Sequence, residues 1–481
     1  MTDQPFGPWM PDIQTVGTNN VRQALNVVPT ANGYGPFRDI AEMTEALPGR
    51  CCGFKSVIGS DFNTHIFAGT ESGLYKIDPV NFTWVDVSNG SYAVTDRDYW
   101  TFVQFGDNVI AVSNGINPQH YTLNVSTNFD DLAGSPPQAR SASVVGDQVV
   151  LFLDDRVLWS SSNDITGWTP GVNNCDYQQF PDGGAATVGT NGEFGFIFQE
   201  RAIRRMIANP GPTIFDFSVI ASDRGILMPY SMVEAHSTVF FLSSDGFWKV
   251  DANGGFTPIG FGQVNEYIIR NADLTSPRFM VGGADPKFQR VYWAFKSINT
   301  ANPEILDRVL IFDWVLSRWS LAAINLEFVG QNIPLAITLD GLDGSYPDGL
   351  DSIPVSLDSF DTSRQARLAG FTANHKLGFF EGITLEGVVE TPDISGGRTR
   401  TKSQYAMPLT DAQVCWVSTG HREILKDPMI YSTERAPSPR SGYAAVRGSG
   451  RYVSQKVRIP ADQYWTFIRS VDLRSAQGGG L

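Results

Sequence analysis

The 481-residue sequence predicts an all-β fold: a β-propeller of about six blades, seven possible, followed by a second β domain. Three observations predict it. Short β-branched and aromatic runs return at a nearly fixed interval, each is followed by a turn and a second run, and Gly and Pro fill 47 and 28 positions while amphipathic helical patterns are scarce. Centred on Ala68, Val112, Leu153, Ile197, Phe241 and Trp293, the runs stand 44, 41, 44, 44 and 52 residues apart, which is propeller spacing.

Residues 1–60 read as an extended or β segment joining the propeller, and residues 61–325 as the propeller itself. Its hairpins are 65–70 with 74–78, 108–112 with 121–123, 148–153 with 156–159, 194–198 with 202–206, 239–243 with 246–250, and 290–295 with 309–312. The first run of each is almost continuously apolar, as expected of an inner strand packed between two blades. Turns such as Glu71-Ser72-Gly73 and Ser244-Asp245-Gly246 supply the backbone freedom that closes a hairpin. Evenly spaced strands also build sandwiches, so a two-sheet sandwich is the competing architecture. A short amphipathic helix is expected near Ala41 to Leu47. The period stops near 325, and 326–375 reads as an acidic connector in which Asp-x-x-Asp recurs at Asp340/Asp343, Asp348/Asp351 and Asp358/Asp361. Alternating stretches such as 382–389 and 451–459 place a second β domain at 376–481.

Chemistry is mostly excluded. GxSxG, HExxH and GxxxxGK[ST] do not occur, so acyl hydrolysis, zincin chemistry and P-loop nucleotide hydrolysis are not expected. His65, His120, His236, His375 and His421 are too scattered for a ligand set and read as structural or surface residues. Asp340, Asp343, Asp348 and Asp351 offer carboxylates for Ca²⁺, but the EF-hand spacing is not met, and a solvated connector is the expected reading. Ser243-Ser244-Asp245-Gly246-Phe247-Trp248 only half matches the sialidase box. No catalytic residue, metal or cofactor is assigned. Cys51, Cys52, Cys175 and Cys415 form no CxxC pair and are expected as reduced thiols. The first residues lack a basic-then-apolar leader, and no apolar run nears the ~20 residues of a membrane span, so neither secretion signal nor span is expected.

Charge is unevenly spread. Against an overall net charge of −14, residues 391–481 hold 13 Lys and Arg and 7 Asp and Glu, so the tail is +6 and the body −20. A body this acidic repels phosphate, because duplex affinity comes from Lys and Arg displacing counterions. The basic tail suits an acidic partner or the acidic body of a neighbouring copy.

Several stretches in order resemble the tail-nozzle, or packaged-DNA stabilisation, proteins of short-tailed bacteriophages. They are Trp9-Met10-Pro11-Asp12, Asn26-Val27-Val28-Pro29, Gly33-Tyr34-Gly35-Pro36 and Leu47-Pro48-Gly49, then Phe180-Pro181-Asp182-Gly183-Gly184, Phe198-Gln199-Glu200-Arg201-Ala202-Ile203, Ser222-Asp223-Arg224-Gly225-Ile226, Pro258-Ile259-Gly260 and Val264-Asn265-Glu266-Tyr267. The likeness covers most of 1–320 and, more loosely, the C-terminal strand ending Val471-Asp472-Leu473; the Asp-x-x-Asp segment and basic tail depart from it. The resemblance implies a structural virion protein made in the host bacterial cytoplasm. Its copies would form a homohexameric ring below portal and adaptor rings, contact plug, needle and tail fibre or spike proteins, and let DNA pass without specific binding. Six copies would carry −84, which suits a wall along which DNA slides. Ring formation makes Arg398, Arg400, Lys402, Arg440, Arg447, Arg451, Lys456 and Arg458 candidate assembly contacts. Two other readings compete: a host-receptor or glycan-binding tail propeller using Trp84, Trp100 or Trp168 as stacking platforms, and a carbohydrate-active propeller enzyme.

Overall fold

The computed structural model describes residues 2–209, 213–332, 366–395, 397 and 399–480. Seven four-stranded antiparallel units follow one another along the chain as propeller blades. Blade 1 comprises Phe54–Ile58, Thr64–Gly69, Leu74–Ile77 and Trp84–Asp86. Blade 2 runs from Thr101–Phe105 to Asp130–Asp131, blade 3 from Ser141–Val145 to Asp176–Gln179, blade 4 from Ala186–Gly189 to Phe215–Ala221, blade 5 from Val233–Ala235 to Phe256–Pro258, and blade 6 from Met280–Asp285 to Arg318–Ala322. Blade 7 comprises Leu326–Asn332, Arg367–Thr372 and Leu377–Phe379, and its outermost strand is Ala41–Glu42.

The six periodic centres all fall on or beside the second strand of a blade, not the innermost one. The reason is burial. The innermost strands border the axis and keep half-exposed polar positions such as Lys55 and Gln104, whereas a second strand is covered by both neighbouring blades, and Gln148–Phe152 is buried throughout.

Blade 7 takes up the two ends of the connector expected at 326–375. Its second strand centres on Ala369, 76 residues beyond Trp293, so the insertion at 333–366 hides the repeat. The Asp-x-x-Asp residues themselves lie outside the described residues. The blade closes the circle: Phe54 of blade 1 packs on Phe328 and Phe371 of blade 7 at 5.6 and 5.4 Å, and on the other side Gly283 of blade 6 lies so near Gly330 that a Cβ would sit 3.0 Å from its Cα.

The segment expected as a helix at 41–47 is instead the closing strand and the extended stretch after it. Met43 and Leu47 donate backbone hydrogen bonds to the carbonyls of Leu377 and His375 at 2.8 and 2.9 Å. Gly378 permits this approach, since a Cβ there would stand 2.1 Å from the Ala41 carbonyl oxygen. Tertiary pairing has overridden the helical spacing of Met43 and Leu47, which pack with Phe371 and Phe379 instead. The one α-helix among the described residues is Asn265–Asn271.

The second β domain is grafted onto blade 6 rather than hung on a linker. Strand Gln23–Leu25 lies parallel to the outer strand of blade 6, pairing Leu25 with Leu321, and antiparallel to Gly387–Glu390. The sheet continues through Tyr452–Ile459 and Trp416–Arg422. A second sheet joins Thr399–Thr410 and Ile468–Gly480 to the N-terminal strands Thr2–Pro5, Val27–Thr30 and Gly33–Pro36. Between the sheets, Val27, Tyr34, Val417, Val457 and Leu473 form one core with Trp293, Phe312 and Trp319 of blade 6. The domain therefore takes in residues 2–36 as well as the stretch beyond blade 7, and the expected start at 376 moves past Phe379.

Candidate interaction surface

The buried groups give little for catalysis. All four cysteines are free and buried, and burial pushes the Cys52 thiol up to about 12 and those of Cys175 and Cys415 up to about 11, far from the thiolate a nucleophile needs. Among the described residues no group of three or more His, Cys, Asp or Glu is placed to hold a metal. Trp100 and Trp168 are buried, their indole N–H groups donating to the carbonyls of Thr70 and Ile165, and half-buried Trp84 donates to the Glu45 carbonyl. Trp100 and Trp168 are core residues rather than stacking platforms.

The second domain carries a different feature. Along Thr399–Thr410, strand alternation turns Thr401 and Ser403 inward and leaves Arg400 and Lys402 outside. A register irregularity against Ile468–Gly480, between Ser403 and Tyr405, breaks the alternation, so Gln404 and Tyr405 both face solvent. The short strand Gly448–Gly450 pairs with Thr401–Ser403 and crosses closely over Trp416–Arg422. Glycine is needed for that crossing: a Cβ on Gly448 would lie 2.7 Å from Thr419 Cγ2 and 3.3 Å from His421 Nδ1. These strands enclose an open groove of about 680 Å³ whose lining includes Lys402, Tyr405, His421, Arg447 and Ser449. The Nδ1 atom of His421 is buried without a hydrogen-bond partner.

The structure divides the eight basic residues singled out from the sequence. Arg398 lies outside the described residues. Arg458 is committed inside the chain, to Glu434 at 2.6 Å and Glu386 at 2.9 Å, and its hydrogen bonds hold the Glu434 carboxyl below the usual range. Arg400 pairs with Glu423 at 2.8 Å, and the Lys456 ammonium lies 5.0 Å from the centre of the Tyr431 ring. Lys402, Arg440, Arg447 and Arg451 have no ion-pair partner among the described residues, and of the eight only Lys402 and Arg447 share the groove. Tyr405 and Ser449 are not singled out by the sequence, and His421 reads there only as a structural or surface residue, because a register irregularity and a strand crossing leave no periodic trace.

Beside the groove, a buried ionic cluster ties the N-terminal segment to the domain. Asp393, with a fully buried side chain, accepts from Thr15 Oγ1 at 2.7 Å, Arg22 Nη1 at 2.8 Å and Arg422 Nη2 at 2.7 Å. Glu390 accepts from Ser454 at 2.5 Å and Tyr431 at 2.9 Å and pairs with Arg22 at 3.2 Å. A second cavity, about 560 Å³, opens on the propeller where interblade loops meet; its polar lining of Arg97, Asp98, Arg140, Glu200 and Thr275 mixes both charges.

What these features define is a seven-bladed β-propeller with an appended, basic β domain. The chain matches no protein-family model and none of the curated proteins. Among solved structures it is similar to the Pan2 WD40 domain of Neurospora crassa, with 10% identity over 61% of this chain and 89% of that one and a TM-score of 0.37. It is also similar to BamB from Moraxella catarrhalis, with 12% identity over 73% and 92% of the two chains and a TM-score of 0.37. A third similarity is to the extracellular domain of a hybrid two-component system protein from B. thetaiotaomicron, at 11% identity, 85% and 47% coverage and a TM-score of 0.40. The fold rests on the blades described above, and these likenesses say nothing of ligand or partner.

Proposed function

We propose that the chain is a structural virion protein, the tail nozzle or hub of a short-tailed bacteriophage, whose copies form a ring that retains DNA and then conducts it. One observation carries the reading: three of the segments that resemble that family, 180–184, 198–203 and 222–226, meet in one knot around blade 4. Gln199 Nε2 donates to the carbonyls of Asp182 and Gly184 at 2.8 Å, Arg201 donates its backbone N–H to Gly183 at 2.7 Å, and Ile226 donates to the Gln199 carbonyl at 2.9 Å. Arg204 pairs with Asp182, and a Cβ on Gly225 would lie 2.1 Å from the Gln199 oxygen. These three segments thus form a single unit with its own steric requirement. The acidic body supports the same reading, since it offers DNA no cationic track.

Negative-stain electron microscopy of the purified chain over a concentration series tests the proposal. Open-centred rings wide enough for a duplex are expected. Compact monomers throughout the series, together with saturable glycan binding, would replace it with the receptor-binding reading.

A further inference from the structure

The seven blades follow in order around the axis, each inner strand beside the next in sequence for most of the circle, and Phe198 of blade 4 packs on Phe241 of blade 5. Blade 6 bears the basic domain. Counting either way round seven blades, blades 2 and 3 each lie three steps from blade 6 and so face away from that domain. They are also strongly acidic: residues 101–180 hold eight Asp or Glu against two Lys or Arg. The two arginines are already engaged, Arg140 with Asp154 and Arg156 with Asp155. On the outermost strands, Asp130 and Asp131 are exposed and Asp176 is half-exposed, and none of them has a cationic partner among the described residues. Asp131 receives only the neutral amides of Gln119 and Asn117.

Unpaired charges of opposite sign therefore stand at opposite ends of the propeller disc. At one end an open groove presents the unpaired cations Lys402 and Arg447 beside Tyr405; at the other, an outer rim presents unpaired carboxylates. We infer that the groove of the second domain docks on the outer rim of blades 2 and 3 of a second copy, so that copies join head to tail. The inference rests on the ring reading above and names the faces the ring would use. A contact between two different patches repeats with one sense of rotation and closes into a ring when the rotation per copy divides a full turn. Lys402 and Arg447 meet the Asp130–Asp131 edge. Like-charge repulsion between two acidic rims or two basic domains disfavours the symmetric alternatives.

The test is sedimentation velocity of the full chain over a concentration series at low and at 0.5 M salt, roughly spanning weak and strong screening. It compares wild type with K402E/R447E, with D130K/D131K, and with the variant that combines all four changes. All four positions are exposed, and melting curves confirm the fold of each. Wild type is expected to assemble at low salt and weaken at high salt. Each charge-reversed pair should raise the concentration for half-assembly by about tenfold or more, and the fourfold variant should restore it, because the reversed charges again attract. If K402E/R447E assembles like wild type, or loses only duplex DNA binding, the docking face is wrong while the ring reading stands. Loss of assembly without rescue in the fourfold variant overturns the choice of blades 2 and 3. Wild type that remains monomeric throughout overturns the ring reading as well.

Discussion

Replacing Asp393 by alanine tests whether the N-terminal segment is sutured into the second domain by charge. The side chain is fully buried and accepts three hydrogen bonds, two of them from guanidinium groups whose side chains are 23% and 12% exposed. Each of the three bonds to the carboxylate is charge-assisted and worth about 1.5–3 kcal/mol. Relief of the carboxylate's own desolvation, residual water at both arginines and the surviving Arg22–Glu390 pair return part of that. The net loss is about 3–4 kcal/mol. Arg22→Ala should cost less, about 2 kcal/mol, because Arg422 still neutralises Asp393. Urea unfolding of the full chain followed by tryptophan fluorescence measures both. A loss for D393A below about 1 kcal/mol would refute the argument, since a dispensable carboxylate cannot be what holds residues 15–22 in place.

Gly378→Ala places a methyl 2.1 Å from the Ala41 oxygen, so the closing strand must shift. A stability loss of about 2–3 kcal/mol and earlier proteolytic cleavage within residues 1–47 are expected, and cleavage unchanged from wild type would contradict the closure. Burial holds the His65 and His120 rings below their ordinary value of 6.5. In that window the unfolded chain binds more protons than the fold, so the contribution is complete above pH 6.5 and is lost as pH falls. The melting temperature of H65Q/H120Q relative to wild type should therefore improve as pH falls from 7 to 5; a pH-independent difference would argue against half-buried rings held neutral by the fold. All four thiols are buried, so a thiol reagent should label almost none in the native protein and four after denaturation. Rapid native labelling of one would identify a site the packing does not show.

The blades were legible because a second strand covered on both faces must be apolar along its length. Val109–Val112 and Val149–Phe152 announce themselves without reference to their partners. Blade 7 was not, because its strands are separated by 34 intervening residues and its last strand comes from position 41, a pairing that leaves no local signal. The same limit applies to the groove. The basic excess of residues 391–481 is plain in the sequence, but charge alone cannot separate Arg458, spent on Glu434 and Glu386, from Lys402 and Arg447, which remain free to meet a partner. That distinction depends on the irregularity after Ser403 and on the close crossing at Gly448, both set by tertiary packing.

Mass photometry of the full chain at low salt, from nanomolar to micromolar concentration, tests the central claim most directly. Head-to-tail closure predicts that monomer gives way to a single species at one fixed multiple of the chain mass, six under the nozzle reading, with few intermediates. A monomer at every concentration, or an unbounded ladder of multiples with no closed species, would contradict it.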